Sequence, residues 1–360
     1  MLRKISFSLL GVLCLAGAYA QDSTKEAPKA TTISGSVDVY YRYNLANPKS
    51  GATNNATSFT NSQNSFELGM ATVRLDHSFG KASATVDLGF GRRAQEFAYT
   101  DGTGWPVGSG NGFVSLANIK QAYLSYAVSD KFKLTMGKWA THVGYELLDA
   151  PLNRNYSMSY MFSYGPFSHT GLKADISLTK KTALMVGVAN PTDYATTTSS
   201  SKFVIAQLST ATKDDKLKVY LNYQGGKLFP DSSLSHIDLV VTGTITDKFS
   251  IGYNGTVQSR KSSHTSGKSW WGSALYFNVD PTSKFGLTLR GEYFDDNKNV
   301  LGASLSKIFA TTLSAQIKVD KLTIIPEVRF DNASQEIFSK NDGTGTKGTG
   351  TLLLAAVYTF

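Results

Sequence analysis

Apolar residues recur at every second position along most of this chain, the period of a β-strand rather than of a helix. In residues 33–43 one face carries Ile33, Gly35, Val37, Val39, Tyr41 and Tyr43, and the other Ser34, Ser36, Asp38, Tyr40 and Arg42. Residues 217–224 set Leu217, Val219, Leu221 and Tyr223 against Lys218, Tyr220, Asn222 and Gln224. Residues 285–294 set Phe285, Leu287, Leu289, Gly291 and Tyr293 against Gly286, Thr288, Arg290, Glu292 and Phe294. The final run places Leu352, Leu354, Ala356, Tyr358 and Phe360 on one face. Chain ends usually fray in water, so a terminal aromatic strand points to lipid, which a transmembrane strand meets at every second residue.

Alternation alone suits a soluble sandwich as well as a barrel, and the connections separate the two. Short ones centre on Gly80-Lys81, Asp130-Lys131, Lys180-Lys181, Asp214-Asp215, Asp247-Lys248, Pro281–Ser283 and Asp320-Lys321. Long ones, rich in Asn, Ser, Thr and Gly, cover roughly 46–64, 94–115, 140–169, 190–202, 225–234, 259–268, 295–307 and 332–349. Seven short turns and eight long loops make fifteen connections and sixteen strands. Strict segregation of long loops to one end belongs to bacterial outer-membrane barrels. The expected fold is therefore all-β: a 16-stranded antiparallel transmembrane β-barrel with short periplasmic turns and long extracellular loops. Three turns, ending at Phe132, Phe249 and Phe285, place a Phe on the apolar phase of the next strand. With Tyr358 and Phe360 these predict a periplasmic aromatic girdle. The apolar phase slips between Leu68 and Ala71, which predicts a bulge near Met70. Pro326 removes a ladder donor from the fifteenth strand, so a bulge or hydrogen-bond defect is expected there.

Residues 1–20 read as a signal peptide cleaved after Ala20: Arg3 and Lys4, an apolar stretch from Ile5 to Leu15, then Ala18-Tyr19-Ala20. Residues 21–31 would be a flexible periplasmic segment and 32–360 the barrel, placing the protein in the cell outer membrane. The sole cysteine, Cys14, lies in the leader, so the mature chain has no thiol for disulfides, metal or nucleophilic catalysis. Beyond residue 20 no apolar run approaches the length of a helical span. The net charge of +9 falls to about +7 without Arg3 and Lys4, and no basic cluster has the form of a nucleic-acid footprint.

Little here suggests an enzyme, a metal site or a cofactor. His77, His142, His169, His236 and His264 show no metal-ligand spacing. Ser157, Ser159 and Ser163 lie between His142 and His169, but no third group completes a Ser–His arrangement. The informative segment is 137–172, whose loop mixes Trp139, Tyr145, Leu147, Leu148, Tyr156, Tyr160, Met161, Phe162 and Tyr164 with Glu146, Asp149 and Arg154. A loop exposed to water has no need of such apolar bulk. Folded into the lumen it would narrow the channel and place Glu146, Asp149 and Arg154 at a constriction. The other reading is an external cap on neighbouring loops or on a partner subunit.

The same segment carries a family resemblance. Gly137-Lys138, Thr141, Gly144-Tyr145-Glu146, Asn153, Tyr156-Ser157, Gly165-Pro166-Phe167 and His169-Thr170-Gly171, with Pro326 to Asp331 near the end, resemble the OmpL-like family of outer-membrane β-barrel porins of Bacteroidota. That resemblance implies a pore with no defined solute. Alternation assigns Asp38, Arg42, Arg290, Glu292, Lys318, Glu327, Arg329 and Asp331 to the lumen wall, where opposite signs on adjacent strands could pair. On the lipid face each would cost roughly 2–4 kcal/mol at midplane. The expected function is passive diffusion of small hydrophilic solutes; the alternative is a structural or adhesive barrel with a plugged lumen. Expected partners are outer-membrane lipids and lipopolysaccharide, the outer-membrane assembly machinery, solutes and a homo-oligomer, with no nucleic acid.

Overall fold

A computed structural model describes residues 30–49, 51–100, 114–197, 200–229, 231–262 and 265–360. The expected leader, with its expected cleavage after Ala20, and His264 lie outside the described residues. The barrel strands are β1 (Ala30–Asn44), β2 (Ser65–Phe79), β3 (Ala82–Phe90), β4 (Ile119–Ser129), β5 (Phe132–Ala140), β6 (Ser168–Ser177), β7 (Thr182–Ala189), β8 (Phe203–Ala211), β9 (Leu217–Phe229), β10 (Ser232–Thr246), β11 (Phe249–Ser262), β12 (Thr265–Thr282), β13 (Phe285–Asp296), β14 (Ser306–Val319), β15 (Leu322–Ala333) and, after a small hairpin of β16 (Phe338–Ser339) and β17 (Gly345–Thr346), β18 (Gly348–Thr359). Each barrel strand pairs antiparallel with its neighbours, and β18 closes on β1. Sixteen strands thus form a closed barrel without free edges, the arrangement lipid demands of a strand-built span.

The alternation acts as expected. Val37, Val39, Leu352, Leu354 and Tyr358 are exposed on the outer face, while Asp38, Arg42, Arg290 and Glu292 are buried inside. The closure includes the last residue: Phe360 donates its backbone N–H to Gly35 O at 3.0 Å and accepts from Gly35 N at 3.1 Å. Gly35 has to be small, because a Cβ there would lie 2.4 Å from the Phe360 ring. At Gly69 the register shifts, Asp38 facing Met70 and Val39 facing Leu68, which is the bulge expected near Met70. At Pro326 the register with β14 is unbroken, but the pairs between Ser314↔Glu327 and Ile317↔Ile324 are missing. Pro326 therefore leaves a ladder defect and no bulge.

Two expected loops are corrected. Residues 225–234 and 259–268 are mostly strand: β9 reaches Phe229 and β10 begins at Ser232, while β11 reaches Ser262 and β12 begins at Thr265. These hairpins rise beyond the lipid band, so their outer faces turn polar and lose the alternation that marks a strand. The first strand begins at Ala30, two residues ahead of the boundary at 32.

Candidate functional site: a loop folded across the lumen

The connection 141–167, third on the extracellular side and here termed L3, turns inward after β5. A non-helical segment inside a barrel must find partners for its backbone N–H and C=O groups, since buried unpaired groups are costly. The wall supplies them in sequence. Gln207 of β8 donates to His142 O at 3.3 Å, and His142 Nε2 lies 3.2 Å from Tyr223 O on β9. Gly144, at φ 98°, aims its N–H at Asp238 Oδ1 of β10 (3.0 Å). Tyr145 N reaches Asn254 Oδ1 of β11 at 3.3 Å, and its ring stacks on Tyr276 of β12 at 4.0 Å. Glu146 then meets Arg290 of β13, Oε1 to Nη1 at 2.5 Å, with the Arg290 side chain wholly buried.

A compact turn follows, built on Asn153. Its Oδ1 accepts from Leu147 N at 2.9 Å and its Nδ2 donates to Asp149 O at 3.1 Å, closing a 3-10 turn over Ala150–Leu152. Lys120 of β4 holds Asp149 at 2.5 Å and Asp87 at 3.1 Å. Arg154 binds Asp280 at 2.6 Å and Thr288 at 2.7 Å. Tyr156 donates its hydroxyl to Asp38 Oδ1 of β1 at 2.5 Å and its N–H to Glu327 of β15 at 2.8 Å. Arg290 Nη1 also donates to Ser157 O at 2.8 Å, and Arg329 Nη1 to Met158 O at 2.7 Å. Ser159 caps the short helix α2 (Tyr160–Tyr164), accepting from Phe162 N at 3.1 Å. Glu292 receives the N–H groups of Tyr160 and Met161, both at 2.9 Å, as a second cap. A carboxylate receiving two backbone donors makes charge-assisted bonds stronger than neutral ones.

Apolar contacts fill what the polar ones leave. Tyr160 and Met161 pack with Trp270, Tyr276, Phe294 and Ile308. Met158, Phe162 and Phe167 pack with Phe59 of the first external loop and with Ala94 and Phe97 of α1 (Arg92–Phe97) in the second. Tyr156 and Ala150 rest on Ile325, Leu353, Ala355 and Val357, the inner face of β15 and β18. That last cluster explains why the terminal strand is apolar on both faces: one meets lipid, the other meets L3. Beside these groups a cavity of about 10 Å³, lined by Arg42, Ser157, Glu327, Arg329 and Asp331, has room for a single water at most. Towards the periplasmic side the inward-facing Arg74, Asp76, Lys133 and Asp175 are partly exposed.

At its return end L3 is tied to the fourth external loop (190–202). Asp193 accepts from Phe167 N at 2.6 Å, Ser168 N at 2.8 Å and the Tyr99 hydroxyl at 3.0 Å. Burial pushes the Asp193 carboxyl up to about 6. Burial also draws His142 down to about 4 and lifts the Tyr164 hydroxyl to about 12.

The residues expected at the constriction are all in the lumen, but each is engaged: Glu146 by Arg290, Asp149 by Lys120, Arg154 by Asp280. The wall residues also face inward, with one correction. The pairing expected between adjacent strands is not what most of them do: Glu292 and Glu327 cap L3, Arg290 clamps it, and Arg329 pairs within its own strand with Asp331 at 2.8 Å. Lys318 lies on the inner face towards the periplasmic end, next to Thr323 of β15. Phe132, Phe249, Phe285, Tyr358 and Phe360 all lie next to the periplasmic turns. The serines near the histidines are structural, Ser159 as a helix cap and Ser163 as a donor to Ser159 O. Lys120, Asp87, Asp238, Asp280 and Asp193 were missed, and Asn153 was read only as part of the family motif, without its role in the turn. Inward strand phase is the signal that could have found Asp87, Asp238 and Asp280, but no sequence signal marks their partners.

The family profile "beta-barrel porin-2, OmpL-like" matches residues 30–360. Among solved structures, an anion-selective porin from Comamonas acidovorans is similar at a TM-score of 0.61 and 10% identity, over 92% of this chain and 100% of that one. The trimer form of OmpT, an outer-membrane protein of Vibrio cholerae, aligns at 0.59 and 11% over 93% and 100%. The outer-membrane channel DcaP of Acinetobacter baumannii aligns at 0.58 and 13% over 92% and 97%. A comparison with curated protein sequences returns no match.

Proposed function

This chain belongs to the OmpL-like β-barrel porin-2 family of the outer membrane, and on that premise we propose that L3 is its constriction, admitting only small hydrophilic solutes by passive diffusion. The observation that carries this reading is the position of L3, inside the lumen and bonded to β4, to β8 through β15 and to β1. Every solute must pass it. The engaged carboxylates and cations on L3 set the local field, which low-dielectric walls focus. Single-channel recording of the purified protein in a planar bilayer tests the proposal: discrete steps of small conductance are expected, enlarged in variants that free L3.

A second reading is favoured by the packing itself. The apolar clusters around Tyr160, Phe167 and Tyr156 resemble a folded core more than a channel lining, which suits a structural or adhesive barrel plugged by L3. Silence in bilayers for both the parent and the L3-freed variants would select it. An enzymatic role finds no support in the serines, which serve the backbone of L3. Export through residues 1–20 with cleavage after Ala20, recognition of the Phe360 end by the assembly machinery, and association into a homo-oligomer complete the proposal. Mass spectrometry of the mature N-terminus and of the detergent-extracted complex would check the first and last.

A further inference from the structure

The extended hairpins β9–β10 and β11–β12 carry their outer faces above the lipid band, and that face holds a row of cations. Ser233 pairs with Lys227 on one side and with Lys261 on the other, so the two lysines stand at one height on either side of β10. Phe203 pairs with Gly226, which sets Lys202, one residue earlier, beside Lys227. With strands about 4.8 Å apart, the row spans roughly 14 Å. All three side chains are exposed, and among the described residues none takes part in an ion pair. Lys202 Nζ reaches only the neighbouring Ser201 O, at 3.2 Å.

The height is fixed by the strand. From Phe249 at the periplasmic end to Lys261 is twelve residues along β11, about 40 Å along the strand and about 30 Å along the membrane normal at a tilt near 40°. The apolar band of such barrels is about 25 Å tall. Lys261 thus stands about 5 Å beyond it, at headgroup depth. The outward positions below change in order, from Ser235 and Ser259 to a level shared by Tyr223, Ile237, Val257 and the exposed Trp271, which pairs in register with Val257. Cations above hydroxyls above an apolar wall complement one kind of molecule: an amphiphile with phosphates on a sugar headgroup and several acyl chains.

We propose that Lys202, Lys227 and Lys261 form a docking site for the phosphorylated headgroup of an outer-leaflet glycolipid of the lipid A type, whose acyl chains lie on the wall beneath. The test uses the full-length barrel reconstituted in phosphatidylcholine vesicles on a Trp105→Phe background, titrated with diphosphorylated lipid A bearing brominated chains. Trp139 and Trp270 are buried in the lumen, so the quenched signal reports Trp271, and Trp271→Phe should abolish it. Replacing the three lysines with Gln should weaken binding roughly five-fold per residue, on the order of 100-fold together, and dephosphorylated lipid A should bind the parent comparably weakly. Matched Lys→Gln changes at the periplasmic turn residues Lys180, Lys213 and Lys248 should leave binding unchanged. Unaltered affinity in the triple variant, equal loss in the turn variants, or displacement by millimolar inorganic phosphate would each overturn the site. A boiling-dependent gel shift confirms that every variant is a folded barrel.

Discussion

Arg290→Met should release L3 from the wall and open the lumen. Arg290 is wholly buried and donates to Glu146 at 2.5 Å, Ser157 O at 2.8 Å and Thr312 Oγ1 at 3.0 Å. Methionine matches part of the volume but no donor, so the change strands the Glu146 carboxylate and a carbonyl in a dry site. Removing one partner of a buried ion pair costs about 3–5 kcal/mol. The penalty falls on the docked loop, because an undocked Glu146 regains water, whereas the barrel ladder is untouched. The docked-to-free ratio should therefore drop by a factor on the order of 10² to several times 10³. Single-channel recording should show longer and larger openings, with an unchanged boiling-dependent gel shift. Arg290→Met combined with Glu146→Gln should recover much of the closed state, since it removes the stranded charge. Parental conductance in the single variant would refute the idea that this clamp holds L3, as would a double variant no more closed than the single.

Four further outcomes follow from the same contacts. The folded protein should resist cold denaturing detergent and shift on boiling, because a closed barrel satisfies its backbone internally; ready unfolding in the cold would contradict the architecture. Deleting Phe360 removes both hydrogen bonds to Gly35 and a periplasmic aromatic, so surface levels measured by protease accessibility should fall far more than for a loop deletion. Replacing Glu146 and Asp149 with Gln and Asn should shift the reversal potential towards anions, with Asp149→Asn carrying most of the shift because Glu146 is sealed against Arg290; an unchanged potential in a salt gradient would move selectivity to the wall charges. For pH, His142 is drawn down to about 4 in the docked loop, so its contribution to docking is complete above its free value near 6.5 and is lost as pH falls from there towards 4. Asp193, raised to about 6, has the opposite sign: protonation favours its docked form as pH falls from about 6 towards 4. The two oppose each other in the parent, so Asp193→Asn should unmask acid-induced opening and His142→Asn should suppress it; identical pH profiles would rule out both roles.

The sequence by itself determined the barrel. A period of two written sixteen times, with turns at Gly80-Lys81, Asp130-Lys131 or Asp320-Lys321, is a local property, and it fixes which side chains meet lipid and which meet the lumen. Asp38, Arg290 and Glu292 could be placed inside from their neighbours alone, and a bulge near Met70 from a slip of one residue. Local pattern failed where the solvent changes: above the membrane the outer faces of β9 to β12 meet water and turn polar, so residues 225–234 and 259–268 lost their alternation and read as loops. The site was legible only as composition. That the 140–169 loop is too apolar for water could be read, but whether it folds into the lumen or caps the barrel from outside could not. Which charges it would meet could not, because Glu146 and Arg290 are 144 residues apart and Tyr156 and Glu327 are 171. Only closing the sheet, β18 on β1, brings those strands around one loop, and a buried carboxylate takes as partner whichever donor the closed sheet places beside it.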